Sequence, residues 1–127
     1  MNIEQKVTSL ELSKQLKEAG FPQRTAFYWW RPNFTTNNWC IEYWQSYPGI
    51  IDDRVIAAPL PCELGEMLPS QLNDGSYWEL HKIDENEWQL GYGEIHSNLW
   101  VHHVEADTEA DARAKMWLYL KEKGLIK

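Results

Sequence analysis

An α+β fold is expected from three features of the sequence: a capped amphipathic segment near residues 8–19, a second one over residues 108–123, and a succession of short strand-forming runs between them. The expected arrangement is an antiparallel sheet of five or six strands, with the N- and C-terminal helices packed on one face. A β-barrel with flanking helices is the alternative. The 127 residues suit one domain, spanning 1–127. A chain of this size buries about two thirds of its unfolded surface and needs neither a metal nor a disulfide to fold.

The first helix is marked by Thr8 and Glu11 as a capping box, with Val7 and Leu12 placed for a hydrophobic staple. Leu12, Leu16 and Ala19 share a face, Gly20 suits a left-handed terminator, Phe21 can fold back on Leu16, and Pro22 forbids continuation. Strand-formers occupy residues 26–30 and 38–44 on either side of a loop holding Pro32, Asn33 and Asn37, which reads as an antiparallel pair. Pro48 and Gly49 interrupt the pattern before a further strand over 50–57. Residues 59–68 read as a loop with a short helical turn closed by Pro69. After the turn signal Asn73, Asp74, Gly75, a meander is expected over 76–83, 87–92 and 99–104, its first two strands joined by a tight hairpin at 84–86.

Thr108 is the expected cap of the last helix, which ends at Gly124. Glu109 and Asp111 at its start and Lys121 and Lys123 at its end complement the helix dipole. Ala110, Met116, Trp117 and Leu120 form a broad apolar face, and Arg113 projects into the same sector. An arginine there either reaches the edge and solvent, which is the favoured expectation, or pairs with a buried carboxylate.

The segment 108–120, TEADARAKMWLYL, resembles the C-terminal helix of small uncharacterised proteins encoded by bacterial phages and prophages, and 63–69, ELGEMLP, is similar to a segment upstream of it in those proteins. Arg113 departs from the apolar residue expected at that point. The resemblance implies a mobile-element setting, with host-defence evasion as one role that suits it. It implies no catalytic residue.

Composition narrows the partners. The 19 Asp and Glu against 12 Lys and Arg give a net charge of −7, the wrong sign for gripping nucleic-acid phosphates, so no direct nucleic-acid binding is expected. An acidic surface that imitates nucleic acid is permitted, though solubility explains the charge more simply. Cys40 and Cys62 form no Cys-x-x-Cys pair and read as buried free thiols. The first residues lack a basic segment followed by an apolar run, and no window approaches 18 apolar residues, so a cytoplasmic protein is expected, the resemblance implying the cytoplasm of the bacterial host.

Catalytic and metal motifs find little support. His81, His96, His102 and His103 are candidate ligands, but adjacent residues on a regular strand face opposite sides, so His102 and His103 cannot share an ion. The run Glu105, Asp107, Glu109, Asp111 has alternate acids, yet Ala110 and Met116 stand where a calcium loop needs Gly and Glu. Asp52, Asp53, Glu79 and Lys82 evoke a metal-dependent nuclease, but Glu79 and Lys82 are three apart on a strand and diverge. Gly91 and Gly93 alone do not make a phosphate loop. No metal or cofactor is expected.

What stands out is the aromatic surplus: 8 Trp, 6 Tyr and 3 Phe, more rings than one small core needs. Along 27–30 rings alternate on both faces, Phe27 with Trp29 and Tyr28 with Trp30. Because Glu42 should avoid the core, Trp39, Ile41 and Tyr43 are expected inward and Glu42 with Trp44 outward. Likewise Trp78 and Leu80 are expected inward and Tyr77, Glu79 and His81 outward. The expected binding face is therefore Tyr28, Trp30, Glu42, Trp44, Tyr77, Glu79 and His81, a mixture typical of interface hot spots.

The function expected first is a non-enzymatic accessory protein that binds another protein, or itself as a homodimer, through this face. A small-molecule or nucleotide binder is the alternative, its paired rings stacking a base while Arg31 or Arg54 meets a phosphate. An enzyme is third.

Overall fold

The computed structural model describes residues 2–23, 26–33, 35–36, 38–43, 55–94 and 100–126. Helices α1 (Ile3–Lys6) and α2 (Leu10–Glu18) precede strands β1 (Tyr28–Asn33), β2 (Asn38–Tyr43) and β3 (Ile56–Ala57). Helix α3 (Pro61–Glu66), strands β4 (Tyr77–Asp84), β5 (Glu87–Gly93) and β6 (Trp100–Ala106), and helix α4 (Glu109–Glu122) complete the order.

The six strands among the described residues form two antiparallel sheets, β2-β1-β3 and β4-β5-β6, and not the single sheet expected from the sequence. Helix α4 packs on β5 and β6 of the second sheet and also touches α2 and α3, while α2 reaches β3 of the first. Helix α4 thus serves the second sheet, while α2 meets α4 and reaches β3 of the first. This explains why α4 buries more than a single stripe: Ala110, Ala112 and Ala114 are enclosed along with Met116, Trp117 and Leu120. Small alanine side chains let neighbouring elements approach the helix closely. The main core joins Leu12, Leu16 and Phe21 to Leu64, Leu68, Leu72, Leu90, Tyr92 and the α4 residues.

Around the first sheet, the face of Tyr28, Trp30, Trp39 and Ile41 is covered by Ile3, Val7 and Leu10. Trp29 packs on the opposite face with Ala26, Val55 and Ala57. Both indoles are buried because β1 is the central strand. The strand runs on through Pro32, where a loop was expected; the described part of β3 pairs only with Trp29 and Trp30, so Pro32 lies past it, where a sheet tolerates a missing N–H.

Helix starts also shift. Ser9, not Thr8, caps α2 by accepting from the Leu12 N–H. Thr8 is fully buried and committed elsewhere: its hydroxyl donates to the Pro59 carbonyl, and its own carbonyl accepts from the Ser13 hydroxyl and the Trp30 indole. The C-terminal expectation for α2 agrees with the structure, since Gly20 has φ +93° and the Phe21 N–H bonds the Leu16 carbonyl at 2.9 Å. Phe21 then meets the Trp117 ring edge-on at 5.1 Å.

Candidate functional site

Strand β5 is the middle of the second sheet, and its register sets out two unlike faces. Trp78, Leu80, Leu90, Tyr92 and Val104 look toward α4 and enter the main core. The Tyr92 hydroxyl donates to the Pro69 carbonyl, and burial pushes its phenol above the usual range. On the other face, Tyr77, Glu79, His81 and Ile83 of β4 and Val101, His103 and Glu105 of β6 are exposed, separated by Gln89, Gly91 and Gly93 of β5.

Trp100 is the centre of this outer face. Its ring occupies the space above Gly91, where a Cβ would overlap the indole. His81 meets the same ring at 5.4 Å and His103 at 5.2 Å, so an imidazole stands on each strand beside it. A register shift at Tyr92 and Gly93 sets Trp100 opposite Gly93 and leaves Val101 as the extra residue, a bulge that turns both side chains outward. Glu79 lies 3.3 Å from His81, and Glu105 lies 4.0 Å from His103. Gln89 links β5 to Glu105 at 3.3 Å. The result is a seated indole ringed by two imidazoles and two carboxylates, with Tyr77, Ile83 and Val101 exposed around it.

The face expected from the sequence divides accordingly. Tyr77, Glu79 and His81 are exposed together as expected. Tyr28 and Trp30 belong to the other sheet, on its covered face, and share that face with Trp39, Ile41 and Tyr43 and not with Glu42. Trp30 is only 9% exposed, with its indole N–H bonded to Thr8 at 2.9 Å, so it offers no surface. The physical reason is register: Trp30 sits opposite Ile41, and directly paired residues point the same way. Glu42 is instead held by Arg31, which donates to it from Nε at 2.9 Å and Nη2 at 2.7 Å. That ion pair occupies the guanidinium proposed for a phosphate. Trp44, Arg54, His96, Asp52 and Asp53 lie outside the described residues. Cys40 is partly buried and Cys62 exposed, against the expectation of two buried thiols.

Trp100, Val101 and His103 were missed as a group, yet a signal existed. Gly91 and Gly93, set aside as too weak a phosphate motif, leave one face of a central strand without side chains, which is what a large ring on the next strand needs.

The third described histidine, His102, faces inward as the strand alternation requires. His102 Nδ1 lies 2.8 Å from the Tyr119 hydroxyl, and Nε2 lies 3.1 Å from Asp74. With both ring nitrogens engaged, His102 has no free lone pair for a metal. Hydrogen bonds from the Ser76 hydroxyl and N–H, and then the one to His102, hold the Asp74 carboxyl down to about 2. The assembly braces the turn at Asp74 against β6 and α4. Among the described residues no three His, Cys, Asp or Glu side chains are grouped to hold a metal, and no helix is long and apolar enough to cross a membrane.

Compared with known proteins, the chain matches no family model, no curated protein and no solved structure.

Proposed function

We propose that this chain is a non-enzymatic binding module that associates with a protein, a second copy of itself included, through the outer face of β4, β5 and β6. The observation that carries the reading is the Trp100 ring held over Gly91 between His81 and His103, on a face with Tyr77, Ile83 and Val101 exposed. A ring already seated loses little conformational freedom on binding, so its buried area converts into affinity with less entropic loss. The neighbouring carboxylates and imidazoles supply orientation and partner choice more than strength. An accessory role in a phage or prophage, acting in the host cytoplasm and extending to defence evasion, rests on the resemblance of 108–120 and 63–69.

Val101→Glu tests this directly, since the side chain is 53% exposed and the core does not depend on it. The variant should keep the wild-type melting temperature and lose association, read by sedimentation for self-association and by co-purification from the host for a foreign partner. A variant that associates as well as wild type would refute the assignment of this face.

A further inference from the structure

A cleft of about 730 Å³ opens at one end of the layer between the second sheet and α4, away from the outer face. It lies where the end of α1, the start of α3, the β4–β5 turn and the start of α4 converge. Its apolar lining is Leu60, Pro61, Trp88 and Ala110. Five charged side chains also border it: Lys6, Glu85, Asp107, Glu109 and Arg113. Three of these are already neutralised. Arg113 donates to Glu109 at 3.0 Å and lies 5.2 Å over the Trp78 ring, and Glu85 pairs with Lys82 at 3.5 Å. Lys6 and Asp107 remain, one cation and one anion, and among the described residues neither has an ion pair or a side-chain hydrogen bond.

We infer that this cleft is a binding site for a small apolar zwitterion, of which a free aromatic amino acid or an apolar dipeptide is the simplest form. The size lies within the range of small-molecule sites, which combine apolar walls with a few polar groups that fix orientation. The apolar body would lie against Trp88, Leu60 and Pro61. The ligand's carboxylate would face the Lys6 ammonium, and its ammonium would face Asp107. A purely anionic or purely cationic ligand would satisfy one of these groups and leave the other without a partner. The site shares no residue with the outer face of the second sheet, so it stands or falls separately from the association proposed above.

The test is a titration followed by the Trp88 indole N–H resonance, assigned by its loss in Trp88→Phe. The probes are L-phenylalanine and L-phenylalanyl-L-phenylalanine, with N-acetyl-L-phenylalanine as anion only and phenethylamine as cation only. Lys6 and Asp107 are both exposed, so Lys6→Ala and Asp107→Asn should fold as wild type. At least one zwitterion should bind saturably below about 10 mM, as its atom count allows. The single-charge analogues, and the zwitterion with either variant, should bind at least about threefold more weakly, the scale of a solvent-exposed ion pair. No saturable shift with either zwitterion, equal binding of a single-charge analogue, or equal binding by both variants would overturn the proposal.

Discussion

Gly91 shows how one residue shapes the candidate site. Its missing side chain is the seat of Trp100, so Gly91→Ala should expel the indole and loosen its contacts with His81 and His103 while the strand pairing persists. Loss of the ring-current shifts on both imidazoles, with the backbone amide pattern of β5 retained, is the expected NMR result; unchanged imidazole shifts would contradict the seat. Trp30 makes the opposite case. Replacing it with Ser removes a buried indole and its bond to Thr8, and should lower stability by about 3 to 5 kcal/mol in a urea melt. A Trp30→Ser protein as stable as wild type would mean that this ring is not core. The sequence alone could not separate Trp30 from Trp100, because both are large rings on short strands. Burial depends on which strand is central, and local alternation does not reveal that. Arg113 does not reach solvent as the favoured expectation had it: its side chain is largely enclosed, paired with Glu109, stacked on Trp78 and fitted against Gly65, the stacking and the fit depending on the approach of β4 and α3.

The ends of helix α4 were legible, because its cap and terminal charges are local signals, while the breadth of its buried face was not. Thr108 does accept from the Asp111 N–H at 3.2 Å. What the sequence hid is that Asp111 also accepts from the Ser9 N–H at 2.8 Å, which ties α4 to the start of α2. Burial pushes the Asp111 carboxyl above its usual range, with the bond from Ser9 opposing the rise. A raised carboxyl contributes stability that is full below the ordinary carboxylate range and is lost as pH rises through the folded value. Asp74, held down to about 2, acts in the opposite sense: its contribution is present above the ordinary carboxylate range and is lost as pH falls through that value. Asp111→Asn keeps an oxygen for Ser9 without a buried charge. It should match or exceed wild-type stability near pH 7, and the difference should shrink as pH falls through the raised folded value, the change being complete once pH reaches the ordinary carboxylate range, about 4. An Asn variant that is less stable at neutral pH, by a margin that does not change with pH, would contradict this account. Thr8 was misread as the cap of α2 because its burial against Pro59 is a long-range fact, while Ser9 beside it offers the same chemistry.

At the scale of the whole molecule, the α+β class and the antiparallel pairing were legible, and the division into two sheets was not. The alternation of large and polar residues is the same whether strands join one sheet or two. What separates the arrangements is long-range packing, with α4 against β5, β6 and α2, and α2 against β3. That division leaves the face around Trp100 open and covers the one around Trp30, which is why the proposed association is assigned to the second sheet. The most direct measurement is photo-crosslinking in cells that express the protein, with a benzophenone side chain placed at position 101 of the second sheet or, as control, at position 43 of the first; both native residues are exposed, at 53% and 41%. The account predicts a discrete adduct from position 101 and none from position 43. An adduct from position 43 alone, or none from either, would contradict it.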